Sequence, residues 1–223
     1  MSNNVPIGID DIPIGTAAPA YAPKQAVTAG DMERKIEFDD ALEQALTLFW
    51  DHGYRGTSMG MLTSALGVEK PSIYASFGCK HQLYLAALAR YRVWLIDTVR
   101  GILDAEPTAR GGIDRAITSM MNRGARKSRI GCFATNSTLE LADHDPLVLR
   151  ETRAIFNELH AVFAEALKRA QHDGQVRDDL SAEILAQLLV NAIEGARVME
   201  KTRASANALS AIVPLILSLL DHR

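Results

Sequence analysis

The chain reads as an all-α protein, and three observations say so. From about residue 31 to the end, apolar residues recur at the 3.6-residue spacing of helices, and no stretch shows the two-residue alternation of a half-buried strand. Glycine and proline punctuate that pattern at intervals of one helix length. Residues 53–83, GYRGTSMGMLTSALGVEKPSIYASFGCKHQL, form two short apolar-periodic segments pinched around Gly67-Val68, the written form of a helix-turn-helix. The expected organisation is a tail over 1–30, a three-helix helix-turn-helix domain over 31–80 and a helical body over 81–223.

The first helix is expected from about Asp39 to His52. Leu42, Ala45, Leu46 and Phe49 recur at i, i+3, i+4 and i+7, and Gly53 stops it. Thr57 is placed to cap the second helix, whose apolar stripe is Met59, Leu62, Ala65 and Leu66 before Gly67 turns the chain. Pro71 suits the first turn of the third helix, in which Ile73 and Phe77 point to the core and Pro71, Ser72 and Ala75 point away. A fourth helix is expected from Lys80 to about Leu103 and a fifth from Gly111-Gly112 to near Lys127. A short one follows Gly131-Cys132-Phe133 to Leu141, and a long one runs from Asp145-Pro146 to about His172. The last two, Ser181 to about Arg203 and Asn207 to Leu220, carry more apolar surface than one subunit can bury. Ile184, Leu185, Leu188, Leu189, Ala192, Ile193 and Ala196 lie on one, and Leu209, Ile212, Val213, Ile216 and Leu220 on the other. Together they predict a four-helix bundle between two copies, with an intramolecular core as the alternative.

The outward side of the third helix is the candidate nucleic-acid surface. Thr57, Tyr74 and Lys80 are expected to hold phosphates, and Ser58 is expected among the DNA-binding residues. The amides at the start of the helix opened by Lys80 and His81 favour a phosphate too. Pro71, Ser72 and Lys70 are expected to carry sequence information, through thymine methyl contact and DNA shape more than through bidentate hydrogen bonds. Lys70, Lys80, Arg90 and Arg92 have no carboxylate among them, so cations are placed locally although the formal net charge is −3.

The same stretch resembles the N-terminal domain of the TetR family of bacterial transcription regulators. The matching positions are Gly53, Tyr54, Thr57, Ser58, Leu66, Gly67, Val68, Ile73, Tyr74, Phe77 and Lys80. Glu69 departs from the usual Ser or Thr, and Cys79 stands where a capping Ser, Asp or Asn is usual. The resemblance implies a repressor that binds double-stranded palindromic operator DNA as a homodimer through its last two helices. Its two recognition helices would sit roughly 34 Å apart. It also implies release by a small-molecule inducer held in the helical body. Candidate wall residues are Tyr91, Trp94, Met120, Met121, Cys132, Phe133, Asn136, Phe156, His160 and Phe163, each of which ordinary core packing also explains.

Composition sets further bounds. With 223 residues, 48% hydrophobic and 23% charged, the chain suits one large or two modest globular domains. Two cysteines, Cys79 and Cys132, are too few for a disulfide framework or a zinc site, and no cofactor is expected. No leader pattern and no long apolar run are read, which predicts a cytoplasmic protein without a membrane partner; Ile212 to Leu220 is short and contains Pro214. The tail has Lys24 as its one cation beside Asp10 and Asp11, unlike a basic DNA-reading arm.

Other patterns in the chain point elsewhere. Gly56-Thr57-Ser58-Met59-Gly60 spells the G-x-S-x-G of a nucleophile elbow, but an elbow needs a strand before it and here a helix precedes it. Cys132 follows Arg126, Lys127 and Arg129, which would lower a thiol pKa and suit an electrophile or oxidant sensor. An enzyme using Cys132 with His160 or His144, a metal held by Glu140 and His144, and a scaffold that has lost DNA binding complete the set.

Overall fold

The computed structural model describes residues 29–121, 130–202 and 211–222, with side chains from residue 39 onward. The helices are α1 (Ala29–Gly56), α2 (Met59–Leu66), α3 (Lys70–Phe77), α4 (Lys80–Asp104), α5 (Ala109–Met121), α6 (Phe133–Leu141), α7 (Pro146–His172), α8 (Ala182–Lys201) and α9 (Val213–Ser218). No strand occurs among the described residues. They divide into two compact units, one holding 29–93 and 133–154, the other 94–121, 130–132, 155–202 and 211–222.

In the first unit the apolar stripe of α1 is the floor of the core. Leu42, Ala45, Leu46 and Phe49 are all buried, together with Leu62 of α2, Ile73 of α3 and Leu83, Tyr84, Ala87 and Leu88 of α4. α1 begins at Ala29, ten residues before the expected start, because residues such as Met32, Glu33, Arg34 and Lys35 are good helix formers that extend it. The expected break at Gly53 is present: its φ of 74° and ψ of 175° lie outside the helical region, and a final turn resumes at Tyr54. Aromatic rings fill the space towards α6, with Phe49–Tyr84 and Trp50–Tyr91 edge to face at 5.0 Å and Phe133 5.6 Å from both Tyr84 and Tyr91. Arg90 of α4 pairs with Glu43 of α1 at the rim.

The second unit packs α5 against α8 and α9. Ile113, Ile117 and Met121 of α5, Leu159, Phe163 and Leu167 of α7, and Leu185, Leu189 and Ile193 of α8 form its core. Gly112 is a packing position as well as punctuation. A Cβ there would lie 2.2 Å from the Leu103 carbonyl oxygen, so only glycine lets α5 meet the end of α4 this closely. Arg110 binds Asp114 at 2.7 Å, Asp221 at 2.8 Å and the Leu217 carbonyl at 3.2 Å, tying α5 to the chain around α9. Arg197 and Glu200 of α8 form a buried pair at 2.8 Å, and Arg197 also donates to the Met120 carbonyl at the end of α5.

Three expected boundaries fall on stretches outside the described residues. The described part of the fifth helix ends at Met121, and residues 122–129, with Arg126, Lys127 and Arg129, lie outside the described residues. The expected helix from Asn207 to Leu220 is described only from Val213 to Ser218, with Leu209 outside the described residues. The expected tail over 1–30 likewise falls outside them as far as residue 28.

Candidate nucleic-acid interface

The two short helices are fixed by their ends. Ser58 caps α2, its hydroxyl accepting from the Met61 amide at 3.1 Å, and Gly67 closes α2 in the left-handed conformation at φ 64°. This corrects the cap from Thr57 to Ser58 and places Ser58 inside a helix terminus, unlike the serine of a nucleophile elbow. Glu69 starts α3 through its carbonyl, which accepts from Ser72 and Ile73, with no side-chain cap bond. Pro71 occupies the first turn, where its missing N–H costs nothing.

That geometry turns one side of α3 to solvent. Ile73 is 1% exposed and Phe77 half-buried, while Lys70, Pro71, Ser72, Tyr74, Ala75 and Ser76 are exposed, Tyr74 by 48%. Glu69 and Cys79 are exposed as well. The residues expected to meet bases therefore share an open surface.

The residues expected on phosphates divide. Thr57 is fully buried, its hydroxyl donating to the Gly53 carbonyl at 2.7 Å with the Leu48 carbonyl at 3.3 Å, so it serves the helix break and cannot reach a phosphate. Lys80 is half-buried, its Nζ donating to the Tyr54 carbonyl at 2.5 Å and lying 4.3 Å from the Tyr54 ring centroid. Desolvation lowers the Lys80 pKa against the opposing pull of Glu140. His81 Nε2 lies 2.6 Å from Asp145 Oδ2, while Asp145 Oδ1 accepts from the Leu147 and Val148 amides that begin α7. Burial works to raise the Asp145 pKa, but the Val148 amide, His81 and the Leu147 amide outweigh it and hold the carboxyl below its usual value.

Behind this surface a polar network joins the turn at Gly53 to α4 and α6. Glu140 of α6 accepts from the Tyr54 amide at 2.9 Å and from the Arg55 amide at 2.7 Å, one through each carboxylate oxygen. Tyr84 donates to Ser137 at 2.7 Å, and Ser137 donates on to the Phe133 carbonyl at 2.7 Å. Desolvation pushes the Tyr84 hydroxyl pKa well above its ordinary value and raises that of Tyr54 as well. Glu140 thus carries a backbone amide on each carboxylate oxygen. No cluster of three metal-ligating side chains occurs among the described residues.

The expected pocket residues are shared between the two units. Tyr91 and Phe133 belong to the aromatic core of the first, 2% and 1% exposed, and Asn136 lies in the same unit. Trp94, Met120, Met121, Cys132, Phe156, His160 and Phe163 belong to the second. Among these His160 stands out: its Nε2 is buried without a hydrogen-bond partner, and desolvation lowers its pKa. Cys132 is 4% exposed, the setting of a packing cysteine, whereas Cys79 is open to solvent.

A capped helix pair with one open face defines a helix-turn-helix protein. Residues 41–87 match the family described as bacterial regulatory proteins, tetR family, and residues 111–214 match the tetracyclin repressor-like C-terminal domain. The uncharacterized HTH-type transcriptional regulator YezE of Bacillus subtilis is 30% identical over 85% of this chain and all of its own length. The HTH-type transcriptional repressor ComR of Escherichia coli is 27% identical over 81% of this chain and 87% of its own. A cysteine mutant of the TetR-family regulator CifR, solved with 26-bp double-strand operator DNA, is 31% identical. That match covers 80% of this chain and 94% of that one, with a TM-score of 0.72. The chain belongs to the TetR family of bacterial transcription regulators.

Proposed function

We propose that this regulator is a repressor that binds a palindromic operator in the cytoplasm as a homodimer and is released by a small molecule. The observation that carries the reading is the open face of α3, where Lys70, Pro71, Ser72, Tyr74 and Ala75 are exposed around a buried Ile73. CifR, at 31% identity, is a relative solved with operator DNA. Pro71, Ser72 and Lys70 face the bases, and Tyr74, Ser58, Lys80 and His81 lie towards phosphates, Lys80 with the ammonium protons that Tyr54 leaves over. Thr57 is buried and has no part in this surface.

Dimerisation is supported by the apolar side chains that α8 and the segment around α9 leave uncovered. Ile184 is 56% exposed, Leu188 43%, Leu215 65% and Leu219 39%, a density of exposed aliphatics that marks an interaction surface. The inducer reading is supported by the unpartnered His160 nitrogen, since a buried polar atom without a partner is rare in a finished core. No helix among the described residues is long and apolar enough to cross a membrane.

The test is a gel shift with DNA fragments flanking the chain's own gene, at several salt concentrations and with competitor DNA. A regulator shifts one fragment in the presence of competitor, and its affinity falls with salt at a slope of roughly −0.9 per phosphate neutralised. Equal binding to every fragment, or none to any, refutes the reading. Light scattering at the same concentrations returns twice the chain mass for a dimer.

A further inference from the structure

The break in α1 creates a need that α6 supplies. Because Gly53 leaves the helical region and a turn restarts at Tyr54, the Tyr54 and Arg55 amides begin a helical turn, where the first amides lack an intrahelical acceptor. Such amides carry partial positive charge and attract an anion. Glu140, 86 residues from Tyr54 along the chain, places one carboxylate oxygen on each. Lys80 grips the same peptide from its acceptor side, at the Tyr54 carbonyl. The approach is close: a Cβ on Gly53 would lie 2.7 Å from Glu140 Oε2. Two residues beyond Arg55 the chain passes through the buried Thr57 to Ser58, the cap of α2, so whatever fixes residues 54 and 55 fixes where α2 and α3 leave α1.

We propose that Glu140 is a positioning residue for DNA recognition, a carboxylate of α6 that sets the direction of α2 and α3 by holding the Tyr54 and Arg55 amides without touching DNA itself. The proposal rests on the DNA-binding reading above. It gives α6 a direct hold on the reading head: a shift of α6 by an ångström or two stretches both charge-assisted bonds beyond hydrogen-bond range.

The sign of the effect separates positioning from charge. Removing a carboxylate from a DNA-binding protein strengthens its non-specific attraction to phosphates. Loss of a positioning residue weakens specific binding instead. The experiment compares wild type, Glu140→Gln and Glu140→Ala for binding to the duplex that the wild type enriches from a randomised pool, and to a scrambled duplex. Hydrogen exchange at the Tyr54 and Arg55 amides is followed in the same proteins without DNA. Both variants are expected to lose roughly 5- to 150-fold in affinity for the enriched duplex, the usual range of coupling between separate sites. Binding to the scrambled duplex should be equal or tighter, and exchange at the two amides faster. Glu140→Gln keeps one acceptor and the side-chain shape, so it serves if Glu140→Ala does not fold. Unchanged or tighter binding of the folded variants to the enriched duplex overturns the proposal, as does unchanged exchange at both amides. If the wild type enriches no duplex, it is the DNA-binding reading that fails, and the exchange measurement still decides whether the clip exists.

Discussion

Substituting Gly53 with alanine tests the helix break more sharply than any other change. At φ 74° and ψ 175° the backbone sits in a region essentially reserved for glycine, and placing an L residue there costs about 1–3 kcal/mol. The added Cβ also meets Glu140 Oε2 at 2.7 Å, closer than real contacts allow, so the carboxylate must retreat from the Tyr54 and Arg55 amides. Glu140 is only half-buried, so water compensates much of that loss, and about 1–2 kcal/mol is a fair share for the broken clip. The sum is about 2–5 kcal/mol, a large part of a typical domain's stability. Gly67→Ala is the control. Gly67 also has positive φ, 64°, but a Cβ there meets nothing within 4 Å, so only the left-handed backbone term of about 1–2 kcal/mol applies. Urea unfolding of both variants should rank Gly53→Ala as the more destabilised, at similar m-values. In a Glu140→Ala background the contact is gone, and Gly53→Ala should cost less than it does in the wild type. Equal costs for the two glycines, or additive costs for Gly53 and Glu140, would refute this account.

Two further outcomes follow from single residues. Asp145 has a folded-state pKa below its usual value, so its contribution to stability is present above the ordinary carboxylate pKa and is lost as pH falls through the lowered one. Asp145→Asn should therefore be less stable than wild type at neutral pH, and the gap in urea midpoint should close as both are titrated into acid; a constant gap would contradict the assignment. The thiols should react unequally: with a chromogenic disulfide reagent Cys79 reacts at once, and Cys132 reacts only as fast as the protein opens, so Cys79→Ser removes the fast phase. A fast phase that persists in Cys79→Ser would assign the reactive thiol to Cys132.

Where sequence reading succeeded, it relied on rules that act within a turn of helix. Gly67, Pro71 and the Asp145-Pro146 pair each mark a helix end on their own and each lies at one in the structure, and Gly53 lies at the break within α1. The Thr57 and Ser58 exchange shows the limit of such rules. Both residues are β-hydroxyl caps by type, and the cap is Ser58 because the Thr57 hydroxyl turns back, one position earlier, to the Gly53 carbonyl that its own amide also bonds. The role of Gly112 was illegible for a related reason: its neighbour is the Leu103 backbone, and no local pattern announces a close approach between two helices.

Glu140 marks the boundary between what a chain states and what it only implies. Its place one turn before His144 suggested only the alternative of a metal pair, because spacing along a helix is all that a local pattern can register. The demand it meets was nevertheless visible. A glycine that stops a helix, followed within one turn by Thr57 and Ser58 opening the next, obliges the chain to leave amides without carbonyl partners. What could not be read was the supplier, since a carboxylate 86 residues away is tied to Tyr54 only through the fold. A polar contact of this reach couples α6 to the direction of α2 and α3, and it is drawn from the class of interactions that leaves least trace in hydrophobic periodicity.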